Sequence, residues 1–113
     1  MNDSILITIK KLLGLDEDYD AFDTDVIVHI NTYLGVLNEL GVGKEGFTIN
    51  DERETFADFL EDSPVSLNEV KTYLYLRVRQ VFDPPASSVL SEVLNKQADE
   101  LGWRMTTKVE CTK

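Results

Sequence analysis

Residues 66–82 read SLNEVKTYLYLRVRQVF and are followed at residues 84–85 by a proline pair. Ser66 and Glu69 have the S-x-x-E spacing of a capping box, in which the hydroxyl accepts from the amide of Glu69 and the carboxylate reaches back to the amide of Ser66. Apolar residues then recur at helical spacing and cover more than half of the circumference: Leu67, Val70, Tyr73, Leu74, Tyr75, Leu76, Val78, Val81 and Phe82. A helix this apolar is normally surrounded by others, so the stretch predicts the central helix of a small all-α domain.

Two apolar stripes precede the central helix. The first predicts a helix that is capped by Asn2 or Asp3, ends at Gly14 and has Ile5, Leu6, Ile9, Leu12 and Leu13 as its apolar positions. The second predicts a helix over residues 24–40 with Asp23 as its N-cap. Its apolar stripe consists of Val26, Ile27, Ile30, Tyr33, Leu34, Leu37 and Leu40.

An irregular region, a last helix and a tail account for the rest of the chain. The loop region at residues 41–65 is expected to hold a short helix that is capped by Asn50 or Asp51 and carries Phe56, Phe59 and Leu60. After the proline pair, a fourth long helix is expected to bury Val89, Leu90, Val93, Leu94 and Leu101. Trp103 is expected to close that helix against the core. From Met105 onwards the sequence shows no helical period and predicts a flexible tail.

These elements together predict an all-α fold, a small orthogonal bundle of four to five helices around the central helix. The helical domain is expected to span residues 1–104 and the C-terminal tail residues 105–113. A chain of 113 residues has room for one modest core and not for two.

Charge is the unusual feature of the composition. The chain has 11 basic and 21 acidic residues and a net charge of −10. This balance argues against binding nucleic acid or an anionic membrane surface, both of which require clustered lysine and arginine. Solubility through self-repulsion explains the charge equally well. No apolar run is long enough to span a membrane and the start lacks a signal-peptide pattern, so the protein is expected to be soluble and intracellular when made.

The acidic loop after the first helix invites comparison with a calcium site. Asp16, Asp18 and Asp20 match positions one, three and five of an EF-hand loop. Position six would be Ala21 where the sharp turn needs glycine, and position twelve would be Ile27 where a bidentate glutamate is needed. We therefore interpret the loop as a solvated acidic surface and predict no metal site.

Few other residues could carry chemistry. His29 is the single histidine, which excludes a histidine-based metal cluster or triad within one chain, and it is expected on the solvated face of its helix. Cys111 is the single cysteine, so no internal disulfide can form, in keeping with a reducing cytosol. Arg77 and Arg79 interrupt the apolar helix. They could contact phosphates or a partner protein. We favour ion pairs with nearby carboxylates, for instance Arg79 with Asp83. The protein is not expected to be an enzyme or to hold a cofactor.

Residues 71–85, KTYLYLRVRQVFDPP, resemble the signature stretch of the head–tail connector (adaptor, or head completion) proteins of tailed bacteriophages. The likeness continues in order through Ser4-Ile5-Leu6, Lys10-Lys11-Leu12-Leu13-Gly14, Phe22-Asp23, His29-Ile30-Asn31, Gly46-Phe47, Phe59-Leu60 and Leu101-Gly102-Trp103-Arg104. The resemblance covers most of the chain except the tail.

This resemblance implies a small helical structural protein that forms a ring under the portal of the DNA-filled head, by a head-to-tail contact that closes by rotation. The implied partners are other copies of the chain, the portal protein and a downstream stopper or tail protein, with DNA only passing through the ring and no membrane. The implied location is the head–tail junction of the virion, assembled in the host cytoplasm.

Two sets of residues become candidates under this resemblance. We predict that Asp16, Asp18 and Asp20 line the lumen and repel the duplex. The tail is predicted to reach a neighbour or the portal, with strand addition at residues that include Met105, Thr106 and Val109; simple terminal disorder is the alternative.

Two other classes of function remain open at this point. A small acidic phage protein could occupy the DNA site of a host factor and block it, binding as a monomer or dimer. Alternatively, the chain could be an enzyme subunit whose site is shared between chains. Ring formation together with portal protein discriminates the connector from both.

Overall fold

The computed structural model describes residues 4–61, 63, 65–82 and 84–111. Within these residues the chain forms five α-helices: α1 (Ile5–Leu12), α2 (Asp23–Glu39), α3 (Phe56–Leu60), α4 (Leu67–Phe82) and α5 (Ser88–Cys111). Extended pairing among them is limited to one antiparallel bridge between Ser4 and Thr55. The predicted all-α bundle is confirmed. Across this described part of the chain, every helix is too short or too polar to cross a lipid bilayer.

Helix α4 is the central element of the bundle, as predicted. It packs extensively against α5 and α2 and also contacts α1. Its buried side chains are Val70, Tyr73, Leu74, Leu76 and Val78. Fully burying a side chain of this size stabilises the fold by about 1.5–3 kcal/mol, so α4 contributes a large part of the core.

The start of α4 forms the predicted capping box. The hydroxyl of Ser66 accepts from the amide of Glu69 at 3.2 Å, as predicted. The carboxylate of Glu69 accepts from that same hydroxyl at 3.0 Å and also from the backbone of Ser66, as predicted. It also pairs with Lys108 of α5, which couples the start of α4 to the end of α5.

Helices α1 and α2 both end in a Schellman motif, the hydrogen-bonded turn that follows many helices. Gly14 after α1 and Gly41 after α2 have positive φ angles of 86° and 90°, which glycine adopts without steric cost. After α2, the amide of Gly41 donates to the carbonyl of Asn38 and that of Val42 to the carbonyl of Leu37, both at 2.9 Å. The predicted stop at Gly14 is confirmed.

The cap of α1 differs from the prediction. Ser4 is the N-cap, and its hydroxyl accepts from the amide of Ile7 at 3.3 Å. Asn2 and Asp3, the predicted caps, lie outside the described residues. Ser4 belongs to the best N-cap class, so the choice follows ordinary helix chemistry.

The prediction that Asp23 caps α2 is wrong. The N-cap is Phe22, with no side-chain hydrogen bond, and Asp23 is the first helical residue. The carboxylate of Asp23 instead lies 2.8 Å from the ammonium of Lys10, whose side chain is only 2% exposed. That ammonium also donates to the carbonyl of Glu17 at 3.0 Å. Pairing the buried charge contributes more to the stability of the fold than capping one helix would. An unpaired ammonium in the interior would cost roughly several kcal/mol.

The short helix α3 is capped later than predicted. Thr55 is the N-cap, and its hydroxyl accepts from the amide of Asp58 at 3.1 Å. Asn50 and Asp51 lie in a preceding turn, where the carboxylate of Glu54 accepts from both of their amides at 3.0 and 3.3 Å. Phe56 and Phe59 of α3 are buried, as predicted.

Side-chain contacts from α2 and α3 hold residues 47–49 in the loop before α3. The amide group of Asn31 on α2 accepts from the backbone N–H of Ile49 at 2.7 Å and donates to its carbonyl at 3.0 Å. The Phe47 ring contacts Phe59, with the ring centroids 5.4 Å apart. At Gly43, where φ is +79°, an added Cβ would lie 2.3 Å from the Phe59 ring, so only glycine fits this approach.

The prediction of a flexible tail from residue 105 is wrong. Residues 105–111, predicted as a tail, continue helix α5 as far as Cys111, while residues 112–113 lie outside the described part. The buried stripe of α5 is Leu94, Ala98, Gly102, Met105 and Val109. These positions do have helical spacing, but the side chains of Ala98 and Gly102 are too small for the sequence to show them as part of an apolar stripe. Small residues allow close approach of helices, and a Cβ at Gly102 would stand 3.5 Å from the Tyr73 ring.

Two further predictions about α5 are wrong. Trp103 is 69% exposed and does not close the helix against the core. Val89, Leu90 and Val93 are also exposed, since Leu94 is the first residue of α5 to be buried. The stripe through Ala98 and Gly102 determines which side of α5 faces α4, and it leaves these larger side chains outside.

Candidate assembly surfaces

An open aromatic groove lies where α1 and α4 end and α2 begins. It has a volume of about 530 Å³, and the residues that line it are Leu13, Leu15, Phe22, Asp25, His29, Val81 and Phe82. The Phe22 ring packs edge-on against Phe82 at 5.4 Å and against Tyr19 at 5.8 Å, yet it remains 41% exposed. His29, predicted on a solvated face, is half-buried here. We call this set of lining residues the aromatic groove.

A second apolar surface occupies the first two turns of α5. Val89 is 70% exposed, and Leu90 and Val93 lie beside it on the same helix. Ser87 caps this end by accepting from the amide of Leu90 at 3.3 Å. The first turn of α5 has no acidic residue that would offset the positive end of the helix dipole, and the exposed Glu92 follows in the second turn. We call these three apolar side chains the α5 face.

The acidic loop forms part of a larger acidic surface. Asp16, Asp18 and Asp20 are all exposed, as predicted. Asp18 and Asp20 line a groove of about 510 Å³ together with Asp51 and Glu52 from the loop before α3. The sequence does not show that the second loop belongs to this surface, because the two acidic segments are far apart in the chain. Among the residues that the structure describes, no group of three or more histidine, cysteine or acidic side chains is placed to hold a metal ion.

The two arginines of α4 are bound to neighbouring side chains. Arg77 pairs with Asp99 of α5 at 2.6 Å, which agrees with the ion-pair interpretation. Burial lowers the pKa of Arg77, but hydrogen bonds and nearby negative charge, including Asp99, outweigh this and raise the pKa. Arg79 donates to the hydroxyl of Tyr75 at 3.1 Å, and its predicted partner Asp83 lies outside the described residues. Arg77 thus joins α4 to α5.

The candidate partner-binding residues at the end of α5 lie in or beside the core. Met105 is fully buried and Val109 nearly so, while Thr106 donates its hydroxyl to the carbonyl four residues earlier. Lys108 pairs with Glu69. Burial by itself raises the pKa of Glu69. The hydrogen bonds from Lys108 and Ser66 and the positive charge of Lys108 have the larger effect, so the pKa of Glu69 is lowered overall. Partner binding by these residues stays a prediction, and strand addition there would require the last turns of α5 to leave the core.

Comparison with known proteins gives one match. The family described as "Phage connector protein" matches residues 5–112, a range that includes all five helices. No curated protein and no solved structure matches the chain. The resemblance to connector proteins that centres on residues 71–85 is confirmed by this match. The chain belongs to the phage connector protein family.

Proposed function

We propose that the protein is a head–tail connector that forms a ring of copies under the portal and joins the DNA-filled head to the tail, with DNA passing through the ring. Family membership carries this proposal, since it assigns a connector-type structural role, a place in the virion and partners among the head–tail proteins. The role consists of binding, and no catalytic step is proposed.

The exposed apolar surfaces support assembly into a larger structure. The aromatic groove and the α5 face leave Phe22, Val81 and Val89 partly in water on a chain of only 113 residues. Contiguous exposed apolar side chains typically mark interaction sites. A closed ring covers such surfaces on every copy, while an isolated monomer leaves them exposed.

The test is to mix the purified protein with portal protein of the same phage. We expect the two to co-sediment, and negative-stain microscopy should show an added ring coaxial with the portal. A protein that remains monomeric or dimeric and separates from the portal would exclude the connector role.

We further propose that Asp16, Asp18 and Asp20 face the lumen. Lysine and arginine supply the affinity of proteins for DNA, whereas a ring of carboxylates repels phosphates and keeps the duplex sliding. The triple variant Asp16→Lys, Asp18→Lys, Asp20→Lys should therefore assemble into particles that eject their genome several-fold more slowly. Ejection triggered in vitro and followed by the fluorescence of a DNA-binding dye measures this effect.

The control is a triple variant with the same change in net charge at other exposed positions, Glu39→Lys, Glu45→Lys and Glu110→Lys. Its particles should eject at the wild-type rate. If both variants eject their genomes at the wild-type rate, the acidic loop does not line the lumen. Equal slowing by both variants would show that total charge matters and the position of the loop does not.

A further inference from the structure

We infer that neighbouring copies in the ring join through two different surfaces: the α5 face of one copy docks into the aromatic groove of the next. This inference rests on the proposed ring and specifies the contact that builds it. The occupant of the groove is therefore a second copy of this chain.

The two surfaces match in apolar character. The groove presents aromatic rings and aliphatic side chains around an open volume of about 530 Å³. The α5 face presents three branched aliphatic side chains in two successive helical turns, which is the form in which a helix enters an apolar groove. Burying Phe22, Val81 and Val89 in this way removes from water apolar surface that the monomer leaves exposed.

The two surfaces also match in charge. Asp25 is the acidic residue that lines the groove. The α5 face lies at the positive end of a 24-residue helix whose first turn has no acidic residue, and the exposed Glu92 in the second turn is the nearest acidic residue of that helix. A carboxylate near a helix N-terminus is stabilising, so Asp25 favours this end of α5 over an acidic partner.

Charge argues against the symmetric alternative. A groove-to-groove dimer would bring two copies of Asp25 together, which is electrostatically unfavourable. A contact between two different surfaces leaves one free groove and one free α5 face on every growing assembly. Such a heterologous contact closes into a ring when its rotation permits, whereas a symmetric contact stops at the dimer.

Cross-linking of single-cysteine variants tests the contact. In a Cys111→Ser background, which removes the single native thiol, one sample carries Phe22→Cys and the other Val89→Cys. An equimolar mixture is bound to portal protein and treated with a flexible bis-maleimide. We expect dimers that join the two variants, at least about tenfold more abundant than dimers in either variant alone, because only the mixture brings the two thiols together across a subunit contact.

Val28→Cys is the matched control, since Val28 is an exposed valine on α2 that belongs to neither surface. A mixture of Val28→Cys with Val89→Cys should not exceed the background of single variants. A chain that carries both Phe22→Cys and Val89→Cys should give a ladder that extends beyond the dimer when bound to portal. Strong dimers in Phe22→Cys or Val89→Cys alone would indicate a symmetric contact and overturn the inference.

A variant of the α5 face tests the proposed contact separately from the proposed connector role. Val89→Asp with Val93→Asp should retain the helical content and melting temperature of the wild type, because both positions are exposed, but should lose ring formation on the portal. Val28→Asp should retain both. Rings that form normally with the double aspartate variant, or that give no cross-link between Phe22→Cys and Val89→Cys, would refute this contact while the connector role stands. If the wild-type protein forms no ring on the portal, the proposed function itself fails.

Discussion

Replacing Met105 by alanine should destabilise the protein by about 2–5 kcal/mol, the range for truncating a fully buried large apolar side chain. Replacing Trp103 by alanine should change the free energy of unfolding by no more than about 0.5 kcal/mol, as is usual for exposed positions. The two residues are neighbours on α5, but Met105 is 0% exposed and Trp103 is 69% exposed. The smaller side chain therefore has the larger effect on stability.

Urea unfolding followed by circular dichroism measures both effects, and it avoids fluorescence because Trp103 is the single tryptophan. The slope of the transition should be unchanged, which would show that only the midpoint has moved. Val28→Ala provides a second exposed reference. A Met105→Ala variant as stable as the wild type would mean that the end of α5 does not pack on the core in solution.

Replacing Asp23 by alanine should destabilise the protein by about 3 kcal/mol, because it leaves the buried ammonium of Lys10 without its counter-charge. The remaining acceptor, the carbonyl of Glu17, carries no charge to offset that of the ammonium. Replacing Lys10 by methionine as well keeps the aliphatic contacts and removes the charge. The double variant should therefore be more stable than Asp23→Ala alone, even though it carries one more substitution.

Denaturation of both single variants and the double variant at neutral pH forms a double-mutant cycle that isolates the coupling. The control is Glu100→Ala in the exposed pair with Arg104, where both side chains are more than half exposed and the expected change is about 0–1 kcal/mol. Strictly additive effects of Asp23→Ala and Lys10→Met would show that the pair contributes no interaction of its own.

Several features of this protein are readable from local sequence. The period of apolar residues predicts α4 as a buried helix because the period itself requires an apolar partner on several sides. Gly14 predicts the end of α1 because a positive φ angle is a property of the residue and its neighbours. The ordered motifs around residues 71–85 predict the connector family, and the family match confirms it.

Other features depend on contacts between distant segments. Asp23 is a good N-cap by local chemistry, but the buried Lys10 from another helix uses its carboxylate. The acidic surface combines the loop at Asp18 with Glu52, and no local pattern reports that these two segments meet. Asn31 binds the backbone of Ile49 across 18 positions, a contact that a polar residue on a helix does not predict by itself.

The sequence by itself determined the helical class, the central position of α4, the termination of α1 and the family. Only the tertiary structure decided which side of α5 is buried, and with it that Met105 lies in the core while Trp103 and the α5 face remain available to a partner. The physical reason is that burial depends on how closely two helices approach. Ala98 and Gly102 permit the approach of α5 to α4 through their small size, a property that a scale of hydrophobicity does not record.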